Sequence, residues 1–293
     1  MSRGSRGRRL RAALPPYFAI LPGGLWLAIF FVLPVFVMLS LSTQTGNLVD
    51  GFQQTFHFAN YTNMLSLYHV QLLRSLWYGV VATLACILLS YPMAYWIAFH
   101  GGRNKSTYLF LVLLPFFVTF VLRTVAWEFL LGDQGLVLSW LKDTGVVGQD
   151  FHVLATTFAV IAGLVYNYLP FMLLPIYVAL ERIEPALLEA SSDLYASRRQ
   201  TFLRVVFPLT VPGIFAGVLL TFVPVASDYV NATILGGTGQ TMIGNIIETL
   251  YLTNSDYPHA SALSIMLMAV LLIGIFIYAR VLGTRDLMEA AAA

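Results

Sequence analysis

An all-α polytopic membrane fold is what this sequence predicts, and three observations predict it. Hydrophobic residues make up 58% of the 293-residue chain and charged residues only 10%, against roughly a quarter charged in an average soluble domain. Six segments, approximately 17–42, 72–100, 107–131, 153–180, 209–230 and 261–282, each supply about the 20 apolar residues that carry a helix across ~30 Å of hydrocarbon. Runs such as Val112-Leu113-Leu114-Pro115-Phe116-Phe117-Val118 do not alternate apolar with polar, which excludes the strands of a β-barrel. A soluble protein with six such segments would keep too little polar surface to dissolve.

The elements follow in order. The apolar run at 17–42 exceeds the roughly 7–15 residues of a signal-peptide core and ends without a small-residue cleavage site, so it reads as an uncleaved first span. This divides the chain into a basic cytoplasmic segment (1–16), a transmembrane domain (17–283) and a short cytoplasmic tail (284–293). The second span holds the lone Cys86, which cannot form an internal disulfide. Pro92, Pro115, Pro170, Pro175 and Pro224 lie inside spans, where kinks are tolerated if neighbours or water satisfy the freed backbone. The connections near 43–71, 132–152 and 231–260 carry Gly, Asn, Asp and aromatic residues suited to turns or short interfacial helices. Asn60-Tyr61-Thr62 and Asn231-Ala232-Thr233 match the glycosylation sequon and are read as chance matches.

Lysine and arginine beside span ends mark the cytoplasmic side. With an internal N-terminus, Arg3, Arg6, Arg8, Arg9, Arg11, Arg103, Lys105, Arg182, Arg198, Arg199, Arg204, Arg280 and Arg285 all lie inside. Of the 16 Lys and Arg, only Arg74, Arg123 and Lys142 fall toward the outside. Both termini and the polar loop at 181–208 are therefore expected to face the cytoplasm. The basic leader beside a span reads as an orientation and lipid-headgroup signal rather than a nucleic-acid arm.

The 181–208 loop is the most informative polar stretch. Pro185 suits the first turn of a helix, where its missing N–H costs nothing, and Ala186 to Leu194 are mostly good helix formers. Ser197 and Gln200 have capping-box spacing, which starts a second short helix through Val206. Pro208 and Pro212 then open the fifth span. The expected product is two short helices with a bend near 195–197, and Leu188, Tyr195 and Phe202 at seven-residue spacing suggest an apolar stripe rimmed by Glu189, Arg198 and Arg199.

The segment Glu189-Ala190-Ser191 through Asp193 and Tyr195 to Val205-Val206-Phe207-Pro208 resembles the cytoplasmic coupling loop of type I ABC importer permeases. That pattern reads E-A-A, three residues, G, nine residues, I-x-L-P. Ser191 stands where the family has the last alanine of E-A-A, and Tyr195 where it has glycine. Leu122-Arg123-Thr124-Val125-Ala126-Trp127, Gly163-Leu164-Val165-Tyr166, Ile243-Gly244-Asn245 and Asp256-Tyr257-Pro258 resemble the spermidine/putrescine subfamily. The resemblance implies a bacterial inner-membrane subunit forming half of a translocation path, most readily for polyamines. The implied partners are a homologous second permease, an ATPase dimer that holds ATP and Mg, an extracytoplasmic binding protein and the lipid bilayer, with no nucleic acid. It implies no cofactor and no catalysis in this chain, and loop residues Glu189, Ala190, Ser191, Asp193, Tyr195, Arg198, Phe202 and Pro208 as the ATPase contact. The same machine could instead import iron, opines, phosphonates or thiamine.

Ionisable groups inside spans cost about 2.5–3.5 kcal/mol at mid-membrane, so they face a partner or water. Arg123 and Glu128, in the outer half of the third span, are five residues apart, a poor spacing for one face. Arg123 is expected to reach the outer headgroups, pack against a neighbouring span or line the path. Asp228, with Tyr229 beside it as a cation–π surface, is the better cation contact; a helix-end acid in water is its plainer reading. Tyr166, Asn167 and Tyr168 are candidates for the path or for interhelical packing, and Glu248 and Asp256 for an acidic external mouth.

Enzymatic readings find no support. There is no G-x-x-x-x-G-K-[ST], the five histidines are scattered without H-E-x-x-H, and no cysteine pair suggests metal. A secondary transporter driven by an ion gradient is the rival class, but internal repeats and mid-membrane charges of that class are not evident.

Overall fold

The structure, a computed structural model, describes residues 21–282. The predicted basic segment 1–16, the start of the first span and the tail 284–293 lie outside those residues. The chain divides into two compact units, one of residues 1–66 and 250–266 and the other of residues 67–249 and 267–293.

In the first unit, helix α1 (Leu21–Leu41) is long and apolar enough to span a membrane, and none of its residues is buried. A hairpin follows that the sequence reading did not foresee: β1 (Gln44–Asn47) pairs antiparallel with β2 (Gly51–Gln54). Its turn is closed by Asn47 Oδ1, which accepts from the N–H groups of Val49 and Asp50 at 2.9 Å each. Strands of four residues carry too little alternation to be read from pattern alone. Asn60 is buried, and its side-chain amide donates to the carbonyls of Ser42 (3.0 Å) and Gln44 (2.9 Å). This sequon asparagine is a structural strut.

Helix α2 (Ala59–His100) runs 42 residues with a non-helical Tyr68 (φ −121°, ψ 16°). It begins well before the predicted span 72–100. In the second unit, the predicted third span is not one helix. Helix α3 (Lys105–Leu113) tightens into a 3-10 turn at Leu114–Phe117, Val118 and Thr119 are extended, and α4 (Phe120–Leu131) then starts afresh. The two limbs are bent by 90°. Pro115 supplies no N–H to hold the turn before it, and the β-branched pair Val118-Thr119 favours extended backbone. Among the described residues, five helices are long and apolar enough to span a membrane, or six if the bent pair counts as one span. Helix α5 (Leu136–Asp143) lies in the predicted external connection.

Helix α6 (Thr157–Glu181) is the centre of this unit's core, with Leu164, Met172, Leu173, Ile176 and Leu180 essentially inaccessible. Thr156 caps it by accepting from Ala159 N–H at 3.2 Å. After α7 (Pro185–Asp193), α8 runs unbroken from Arg198 to Ala226. The sequence reading expected a short helix to Val206 and a separate fifth span from 209. Instead a wide π turn at Phe202–Val206 joins them, because a widened turn accommodates the N–H that Pro208 lacks.

Gly213 and Gly217 on α8 let it lie against α6. A methyl group at Gly213 would meet Pro175 O at 2.6 Å and Ala179 Cβ at 2.5 Å, and one at Gly217 would meet Met172 Sδ at 2.6 Å. This is the small-xxx-small packing by which membrane helices approach closely without a hydrophobic driving force. Helices α9 (Val230–Leu235) and α10 (Ile243–Glu248) lie in the connection that follows, and α11 (Tyr257–Leu282) is the last helix long and apolar enough to span a membrane.

Candidate coupling loop and intramembrane polar cluster

The loop between α6 and α8 is built by its caps. Helix α7 opens on Pro185. It ends with Tyr195 N–H donating to Ser192 O (2.9 Å) and Ala196 N–H donating to Ser191 O (3.1 Å), the paired bonds of a Schellman motif. Tyr195 is the residue in that motif that must turn left-handed, and its φ is +55°. Glycine is the usual residue there, so the structural reason for the family's glycine is visible although a tyrosine fills the place. Ser197 and Gln200 form the predicted capping box, with Ser197 N–H donating to Gln200 Oε1 at 2.8 Å and Gln200 N–H to Ser197 Oγ at 3.3 Å. The Ser191 and Thr201 hydroxyls, 3.0 Å apart, tie α7 to α8.

The expected stripe of Leu188, Tyr195 and Phe202 does not form. Seven-residue spacing places residues on one face only in a continuous helix, and the left-handed Tyr195 breaks it. Tyr195 is 96% exposed, whereas Leu188 and Phe202 turn inward and pack on the core. Phe202 sits edge-on to Tyr91 (5.7 Å) and Tyr95 (6.0 Å) of α2 and near Phe207 (6.3 Å). The outer face instead carries Leu187, Leu194 and Tyr195 with the exposed Glu189, Ala190, Asp193, Arg198 and Arg199. Leu194 escaped the sequence reading because its exposure is set by the bend. Lys105 Nζ meets Glu181 Oε1 at 3.0 Å, pinning the start of α3 to the end of α6.

Higher in the second unit, buried polar side chains converge from α4, α6 and α9. Asn167 Nδ2 donates to Thr124 Oγ1 and to Asn231 Oδ1, both at 3.1 Å. Asp228 accepts from Asn231 N–H (2.8 Å), Asn231 Nδ2 (3.2 Å) and Tyr168 Oη (3.1 Å). Asp228 is 6% exposed, so it is not the water-facing helix-end acid of the plainer reading; the break after Ala226 folds it back onto α6. Asn231, the second sequon asparagine, is fully buried in this cluster. A sequence gives no sign that Thr124 and Asn231 share Asn167 as a partner, because only the crossing of helices brings them to it.

Arg123 does not project from the protein surface either. It is buried, with its guanidinium 4.6 Å above the Phe116 ring and 5.8 Å from that of Phe120. Tyr166, edge-on to Trp127 at 5.3 Å, shares a cavity of about 190 Å³ with Arg123. Glu128 is exposed, on another face of α4. Tyr229 is also exposed, and Glu248 is half-buried. The structure thus groups Arg123 with Tyr166 and Asp228 with Tyr168. Glu248 and Asp256 fall in different units.

The family model described as the binding-protein-dependent transport system inner membrane component matches residues 4–284. The chain belongs to that family. This permease is 37% identical over 258 residues to the spermidine/putrescine transport system permease protein PotB of Haemophilus influenzae, covering 87% of this chain and 90% of the relative. It is 36% identical over 256 residues to PotB of Escherichia coli strain K12, covering 87% and 93%. Among solved structures, the permease shares its fold with a bacterial ABC transporter that imports alginate (TM-score 0.70, 18% identity, 94% of this chain and 96% of that one). It also shares it with the MetNI methionine ABC transporter in inward-facing conformations (TM-score 0.57, 16% identity, 76% and 99%). The permease is thus a multi-pass membrane protein of type I importer fold, and its relatives are transport subunits rather than enzymes.

Proposed function

We propose that this permease is one transmembrane subunit of an ATP-driven importer and forms half of its path for polyamines of the spermidine and putrescine type. The observation that carries this reading is the 36–37% identity to two spermidine/putrescine permeases along 87% of the chain. The partners are a homologous second permease, an ATPase dimer that holds ATP and Mg, and an extracytoplasmic binding protein. Both termini and the 181–208 loop face the cytoplasm.

The exposed loop face of Leu187, Glu189, Leu194, Tyr195 and Arg198 docks on the ATPase. Because α8 is unbroken from Arg198 to Ala226, displacing the loop displaces a whole span. The Phe202 contacts with Tyr91 and Tyr95 pass the same displacement to α2. Asp228 is the cation contact, but its oxygens are held by Tyr168 and Asn231 in this state. Capturing an ammonium therefore requires the path to open at the α8–α9 break, which links substrate contact to conformation. Tyr229 and Glu248 add an aromatic and an acidic group on the outer side.

Radiolabelled spermidine uptake in cells lacking this chain tests the reading. Wild type is expected to restore uptake, and Glu189→Ala to restore little of it. Restoration by both would remove the coupling role of Glu189. Uptake unaffected by deletion, in cells without a redundant transporter, would remove the polyamine assignment.

A further inference from the structure

Arg123 is 7% exposed, its Nε is buried without a hydrogen-bond partner, and no carboxylate among the described residues pairs with it. A buried charge normally has a hydrogen-bonded counter-charge, because removing it from water is costly. The two phenylalanine rings offset part of that through cation–π contact, but Nε is left without a hydrogen-bond partner. Arginine's planar fork of five donors matches a carboxylate in shape.

The space beside it has room for such a group. Met93, Leu111, Pro115, Phe116, Tyr166 and Pro170 line much of the cavity of about 190 Å³ into which Arg123 projects, several times the ~30 Å³ share of a water molecule. Pro115 and Pro170 have no N–H for the carbonyls of Leu111 and Tyr166, four residues earlier, so ordered water is also favoured there. Helix α4 starts three residues before Arg123, adding the positive end of its dipole. A polycation is the wrong ligand for this place.

We propose that the cavity between α3, α4 and α6 is an anion site in which Arg123 binds one carboxylate-class group. Neutralising Arg123 in this way turns a wall that would repel a polyamine into a neutral one. The carboxylate comes either from an acidic side chain of the second permease or from a small anion in solution. The site stands on burial and cavity geometry and does not depend on the transported solute.

The test uses the assembled transporter in lipid nanodiscs, as wild type, Arg123→Lys and Arg123→Met, with thermal unfolding as the readout. If a small anion fills the site, sodium acetate exchanged for a bulky sulfonate at constant ionic strength raises the wild-type midpoint by a few degrees. Arg123→Met shows no such response. If a partner side chain fills it, acetate has no effect on wild type, and carbodiimide joins the two permease chains in Arg123→Lys but not in Arg123→Met. No acetate response in wild type together with no cross-link in Arg123→Lys would overturn the proposal, leaving Arg123 held by its rings alone. Should Arg123→Met fail to assemble, wild type and Arg123→Lys still decide between these outcomes.

Discussion

Tyr195 shows how much one backbone angle decides. An L-residue in the left-handed region is destabilised by roughly 1–2 kcal/mol, and a tyrosine at φ +55° incurs that cost where glycine would not. Tyr195→Gly is therefore expected to raise the stability of the α7 C-terminus by about 1 kcal/mol, read as slower amide exchange at Ala196. If the exposed ring also docks on the ATPase, the same substitution lowers uptake while the loop becomes more stable. Faster exchange in Tyr195→Gly would remove the strain account. Asp133 is a second residue with a readable signature. Hydrogen bonds from His152 (2.7 Å) and Lys142 (3.1 Å) hold its carboxyl below the usual carboxylate range. A carboxylate lowered in the folded state stabilises above its unfolded value and loses that contribution as pH falls through the folded one. Protease susceptibility of the 132–152 connection is thus expected to rise from about pH 4 downward in wild type. In Asp133→Asn it should be higher at neutral pH and flatter across that window.

At the scale of elements, the contact between α6 and α8 is the rigid seam of the second unit. The Pro175 backbone oxygen lies 2.6 Å from where a side chain at Gly213 would begin, so the helices must separate to admit one. Gly213→Leu is expected to cost more than the roughly 1–3 kcal/mol of ordinary overpacking. The melting temperature of the purified transporter should fall well below that of Gly274→Leu, a position with nothing within 4 Å. Equal melting temperatures would mean that α8 does not sit on α6 through these glycines. The bent α3–α4 pair has the opposite character. Its break at Val118-Thr119 leaves two short limbs where one span was expected, and it is this break that turns Arg123 inward.

For the whole molecule, one helix, α8, runs from the loop to within two residues of Asp228. The π turn at Phe202–Val206 makes the end of the loop and the fifth span one continuous helix, from Arg198 to Ala226. Loss of uptake in Glu189→Ala with a normal melting temperature would place the defect in coupling rather than in folding. A lowered melting temperature would place it in the fold.

Composition and periodicity alone determined that this chain spans a membrane as helices, because hydrocarbon admits no other backbone solution for runs of that length and polarity. Local chemistry alone placed the capping box at Ser197 and Gln200 and the proline at the start of α7, since each is settled within four residues. The tertiary structure decided what depends on long-range crossing. It folded Asp228 onto Tyr168 and Asn231, joined the second loop helix to the fifth span, broke the third span and enclosed Arg123 beside Tyr166. None of these is a property of a local stretch: each depends on which helix packs against which, and hydrophobic spans of similar composition leave that choice to side-chain shape and a few buried hydrogen bonds.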